Sequence, residues 1–260
     1  MKKYILSIIG IFISGAFFCQ SKDIAAAQAN NPLANMTALN LQNNYVSKLT
    51  DAPSDAYANT TWIRYAQPFG GGKFLVRASI PLSTIATPSN GIVNSKSGLG
   101  DINAFVSYNF VSKPSGTFGV GPLLSTPTAS EEALGSGKWQ GGLAFVAFIA
   151  KSPIIQFGGL ATWQASIGGD KSRPNTNSAS IQPFYFVQLG KGTYLRGAPT
   201  WFFDFKNDAY SMPMGAGIGK VIKKENITFN VFIEPQYTML HSGVQPQFQI
   251  FTGINLQFAK

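Results

Sequence analysis

The 260 residues are 45% hydrophobic and only 12% charged, with 27 glycines and 21 phenylalanines. An ordinary soluble domain carries roughly 25% charged residues. No stretch beyond the N-terminus is apolar over the ~20 residues that a membrane-spanning helix needs. The formal charge of +9 comes from basic residues most of which sit singly in short connections, as in Lys113, Lys151, Lys191, Lys223 and Lys224. A nucleic-acid-binding surface would cluster them.

Residues 1–19 read as a secretory signal: Lys2 and Lys3 precede an apolar run from Tyr4 to Phe18. Cleavage is expected next to Cys19 or as late as Ala27. Lipid anchoring of Cys19 is the alternative, although Phe18 stands where a lipoprotein signal takes a small residue. Cys19 is the only cysteine, so no intramolecular disulfide can form. A polar lead occupies residues 20–35.

From residue 36 to 258 the chain reads as strand after strand. Twelve are expected, over 36–47, 57–68, 73–84, 99–112, 117–127, 138–150, 153–167, 178–189, 192–204, 211–222, 226–239 and 246–258. Period-two alternation is the signal, because successive side chains of a strand point to opposite faces. In INAFVSYNF, Ile102, Ala104, Val106, Tyr108 and Phe110 oppose Asn103, Ser107 and Asn109. In the last segment Phe248, Ile250, Thr252, Ile254, Leu256 and Phe258 oppose Gln247, Gln249, Gly253, Asn255 and Gln257, broken only by Phe251.

The connections alternate in length. Short ones (FGGGK, SKPSG, AKSP, LGKG and IKKEN) interleave with mostly longer, polar ones at 47–56, 85–98, 126–137, 168–178, 205–210 and 240–245. That rhythm, over an even number of strands, predicts an all-β, up-and-down antiparallel transmembrane barrel with short periplasmic turns and longer outer loops. The last strand must then pair with the first, since lipid satisfies no backbone group.

Several stretches resemble one bacterial family. They are NPLANMTALNLQNNY (31–45), SGLGDINAF (97–105) and GVGPLLSTPTASEEALGSGKWQGG (119–142), with QPFYFVQ (182–188) and SMPMGAGIGKVIK (211–223) downstream. The group is the outer-membrane proteins often labelled, misleadingly, "neuromedin U". It lies close to the transporter family named for the meta-cleavage pathway of phenol degradation. The resemblance implies an outer-membrane barrel with a transport role, no enzyme chemistry and an undefined small solute. Its expected partners are outer-membrane lipid and the barrel-assembly machinery, with the protein a monomer or weak oligomer.

Turning the apolar parity outward places Arg64, Arg77, Asp101, Arg196, Asp204 and Glu234 inside, a balanced set of three cations and three anions. Arg or Lys on the lipid face costs about 2–4 kcal/mol at mid-membrane. Two readings of that lumen stand: a charged path that selects solutes, or a salt-bridged filling of a narrow barrel. A structural barrel whose loops bind partners is the second function class, and an outer-membrane hydrolase the third. The sole histidine, His241, stands beside Ser242, and a hydrolase needs Ser and His within hydrogen-bond reach and an orienting third group. Glu131, Glu132, Asp170 and Asp208 lack EF-hand spacing, and GSGKW lacks the phosphate-loop pattern. No cofactor and no metal is expected.

Overall fold

A computed structural model describes residues 29–33, 35–89 and 92–258. The signal segment and its cleavage site lie outside the described residues. From Thr37 onward the chain forms one antiparallel sheet of fifteen segments: β1 (Thr37–Leu49), β2 (Tyr57–Phe69), β3 (Phe74–Ser89), β4 (Ile92–Leu99), β5 (Asn103–Lys113), β6 (Gly116–Ser125), β7 (Lys138–Ile149), β8 (Ile155–Gly169), β9 (Asn177–Gly190), β10 (Thr193–Gly197), β11 (Trp201–Asp204), β12 (Ala209–Gly215), β13 (Gly217–Lys224), β14 (Ile227–Ser242) and β15 (Pro246–Phe258). β4 and β5 both pair with β3, β10 and β11 with β9, and β12 and β13 with β14. Three staves are therefore each broken in two, and the fifteen segments make twelve staves.

The sheet closes on itself. β1 pairs with β15 from Thr37 opposite Phe258 to Leu49 opposite Pro246, and β15 pairs on its other side with β14. Apart from β4, which pairs with β3 alone beside a long connection, closure leaves no edge strand, the condition for a sheet to sit in hydrocarbon. The fold is an up-and-down antiparallel barrel of twelve staves.

Parity sets the two faces of the wall. Ile233 is 48% exposed while Glu234, the next residue, is 0% exposed. Ile254, Val106, Tyr108 and Phe110 likewise face outward, whereas Ser107, Asn109, Gln249 and Gln257 are buried inside. Outward rings gather near the short turns, where Phe69 stacks on Phe74 at 5.1 Å and Phe74 meets Tyr108 at 5.5 Å. Trp139 and Trp163 are exposed toward the opposite end. Such aromatic girdles mark the two interfaces of a bilayer.

A pair of arginine variants separates the faces. Ile233→Arg puts a charge near mid-stave on the lipid face, at a cost of about 2–4 kcal/mol. Ser180→Arg puts the same charge into a roomy interior. The first variant is expected to lose folded barrel in refolding assays and the second to keep it. Equal loss in both would overturn the assignment of faces.

The short turns are tight. Gly190 pairs with Thr193, and the two residues between them, Lys191 (φ 52°) and Gly192 (φ 76°), are both left-handed. Two such residues form the type I′ hairpin whose twist matches that of the strands. A side chain at Gly192 would also meet the Val221 carbonyl at 2.4 Å.

Two expectations change. Residues 85–98, read as a loop, continue the wall as a hairpin in which β3 and β4 pair from Leu82–Leu99 to Ser89–Ile92, with the Thr84 and Ser97 hydroxyls 2.8 Å apart. The extension rises above the apolar band, so neither face needs to be greasy and the alternation vanishes from the sequence. The segments 99–112, 192–204 and 211–222, read as continuous, are interrupted at 100–102, 198–200 and 216. Pro199 lies in the second gap, and proline has no N–H to give a ladder.

Candidate functional site in the barrel lumen

The interior divides into two chambers. The one toward the long loops has a volume of about 500 Å³, and its wall mixes hydroxyl and carboxamide side chains, Thr60, Thr162, Ser180, Gln164 and Gln249 among them, with apolar ones such as Leu123, Leu160 and Phe202. The chamber toward the short turns has only about 130 Å³. Apolar side chains narrow it, in two buried groups built around Phe148, Phe184, Phe186 and Tyr194, and around Leu75, Phe105 and Val146.

Residues 29–33 complete that narrowing. Ala29, Asn30, Asn31 and Leu33 are all buried. Ala29 and Leu33 pack into the two apolar groups. The Gln257 carboxamide donates to the Ala29 carbonyl at 3.0 Å, and the Asn230 carboxamide donates to Asn30 Oδ1 at 2.9 Å. The Leu33 amide donates to Asn31 Oδ1 at 2.9 Å, which folds the segment on itself. Residues 29–33 thus lie inside the barrel at the short-turn end.

Arg64 and Arg77 line both chambers and so stand at their junction. They occupy neighbouring staves, with Arg64 opposite Ser79 and Arg77 opposite Ala66, which makes them diagonal neighbours on the inner face. The Arg64 guanidinium lies 4.7 Å from the Trp62 ring and donates to Gln42 Oε1. The Arg77 guanidinium lies 5.2 Å from the Phe105 ring. The Nε atoms of both are buried without a hydrogen-bond partner.

Arg196 differs. Its Nε donates to Glu234 Oε2 at 2.7 Å, and the guanidinium sits 3.5 Å from the Phe232 ring centroid, with Phe251 and Phe186 beyond. Glu234 Oε1 accepts from the Ala198 amide at 2.8 Å and from Gln236 Nε2 at 2.7 Å. The carboxylate therefore also satisfies an amide that leaves the ladder at the 198–200 break.

The two aspartates line neither chamber and engage loop and turn groups instead. Asp101 Oδ2 accepts from the amide and hydroxyl of Ser136 at 2.7 and 2.8 Å, and Oδ1 from the Ala129 amide at 3.3 Å. It holds loop 126–137 against the break at 100–102. Asp204 accepts from the amides of Lys206 and Asn207 and from Asn207 Nδ2 at 2.9, 3.3 and 2.7 Å, closing its own turn. Short acidic side chains beside turns bind nearby amides readily. The expected balance of three and three is accordingly absent from the chamber walls, which carry arginines and no carboxylate among the described lining residues.

Sequence reasoning missed Trp62, Phe105, Gln42 and the docked Asn30. Phe251 carried a signal, since its break in the alternation is that of an inward aromatic ring, 5% exposed and 4.9 Å from Phe232.

Other candidates resolve simply. Glu132 pairs with Arg173, and Lys96 with Glu131 at 3.3 Å, in the outer loops. The Ser172 hydroxyl and amide bind Asp170 and hold its carboxyl below the usual range. No group of three metal-ligating side chains occurs among the described residues. His241 and Ser242 are consecutive on β14, so their side chains leave opposite faces of the sheet.

No family model and no curated protein matches the chain. Solved structures do. An outer membrane channel from Pseudomonas putida F1 aligns with TM-score 0.60 and 13% identity, over 86% of this chain and 95% of that one. The NanC porin aligns with TM-score 0.53 and 12% identity, over 85% of this chain and all of the porin. At such identities the likeness is one of fold: the structural neighbours are outer-membrane channel and porin barrels.

Proposed function

We propose that this chain is a passive outer-membrane channel for a small polar solute, with its long-loop end outward. The observation that carries the reading is the chamber of about 500 Å³, rich in hydroxyl and carboxamide groups, within a closed barrel of twelve staves. Eight-stranded barrels are filled by side chains and those of 16–18 strands hold open water channels, so a partly filled lumen suits this size. The outward apolar face and paired backbone fit lipid on all sides. The stretches 31–45, 97–105 and 119–142 add the resemblance to the "neuromedin U"-labelled barrels, and we place the chain in that group on this account.

The residues that meet the solute in this reading are Arg64 and Arg77. Arg196 and Glu234 support the wall behind them, and Asp101 and Asp204 shape the outer rim. Purified protein in a planar bilayer is expected to give discrete conductance steps that favour anions. The alternative, a structural barrel with a closed lumen, has its own support in the buried segment 29–33. A flat current both from the full chain and from a chain lacking 29–33 would establish that alternative instead.

A further inference from the structure

We infer that the Arg64–Arg77 pair is a recognition site for the carboxylate of a small polyhydroxylated acid. The inference rests on the channel reading and adds the substrate class to it. The lumen holds two kinds of arginine. Arg196 has its own carboxylate, Glu234. Arg64 has one neutral acceptor, Gln42, and Arg77 has neither a hydrogen bond nor an ion pair among the described residues.

Two cations set diagonally on one face repel each other. No carboxylate among the described chamber-lining residues offsets that repulsion. Each guanidinium also lies over a ring, Trp62 at 4.7 Å for one and Phe105 at 5.2 Å for the other. A ring accepts no strong hydrogen bond, so N–H groups stay free for a planar oxyanion, which arginine binds through paired hydrogen bonds.

The side chains above the pair narrow the ligand further. The larger chamber presents Thr60, Thr162, Ser180, Gln182 and Gln236 toward the same space. Hydroxyls and carboxamides both donate and accept, so they complement a solute rich in hydroxyl groups. Leu123, Leu160 and Phe202 share that wall and suit the carbon frame of such a solute. A volume of about 500 Å³ lies within the ~300–1,000 Å³ usual for small-molecule sites. A six-carbon hydroxy acid, carboxylate down and hydroxyls up, has the matching polarity along its length.

Calorimetry on the purified full chain in detergent tests this without requiring conduction. Gluconate is the probe, with sorbitol as the same frame lacking the carboxylate and hexanoate as the acid lacking the hydroxyls. Gluconate is expected to bind saturably, and the two controls at least ~10-fold more weakly, the effect of losing one charge-assisted contact set. Arg77→Gln and Arg64→Gln are each expected to weaken gluconate by roughly tenfold. Arg77→Lys, which keeps the charge but not the fork, is expected to fall between wild type and Arg77→Gln.

Gluconate binding no tighter than sorbitol, or unaffected by Arg77→Gln in a folded barrel, would overturn the site. Hexanoate binding as tightly as gluconate would overturn the hydroxylated class. Bilayer recordings separate the two readings: anion-indifferent conductance sinks this inference alone, whereas gluconate binding without any conductance sinks the channel and leaves the site.

Discussion

A chain lacking residues 29–33 is expected to conduct severalfold more current than the full chain. The segment fills the narrow half of the lumen, about 130 Å³ against about 500 Å³ above it. In a series path the tighter section limits the flow, so widening it raises the current. Gln257→Ala is the milder version, since it removes the hydrogen bond to the Ala29 carbonyl without shortening the chain. Single-channel recordings of that variant are expected to show the same higher level, visited intermittently. Unchanged conductance in both variants would mean that the current does not pass the segment.

The second large effect concerns stability. Glu234→Gln is expected to destabilise the barrel by about 3–5 kcal/mol, the usual result of leaving a buried charge without its partner. Glu234 is fully buried and serves both Arg196 and the Ala198 amide. A glutamine has one acceptor oxygen in place of two, so one of those donors is left unsatisfied. Replacing Arg196 and Glu234 together by methionine is expected to cost less than the single change, because no charge is then stranded. The temperature at which the folded band disappears on a semi-denaturing gel measures both. A single variant as stable as wild type would show that the ion pair does not support the wall.

Much of the fold was legible because lipid imposes a rule that composition must obey. A wall with hydrocarbon outside and polar groups inside alternates at period two, as at Ile233 and Glu234, and its twelve staves are countable from that alternation. The rule stops where lipid stops. The hairpin 85–98 stands above the bilayer, so it lost its alternation while keeping its ladder. Parity also names a face without naming a height or a neighbour. Asp101 and Asp204 were put with the lumen on parity alone, and the loops that take up their carboxylates were invisible. The docking of residues 29–33 was beyond reach for a related reason: its partners, Asn230 and Gln257, are some two hundred positions away.

The pairing of β1 with β15 also governs how this molecule can form. Its partners are separated by nearly the whole length of the chain, Thr37 meeting Phe258. The loop-closure entropy of that contact cannot be met until almost every other stave is in place. High contact order of this kind makes folding slow. A nascent product shorter than Phe258 has β1 and its own last stave as two open edges, the geometry that recruits foreign strands. Synthesis must therefore pass β15 before the ring can close, and the unclosed chain has to be kept apart from its own copies until then.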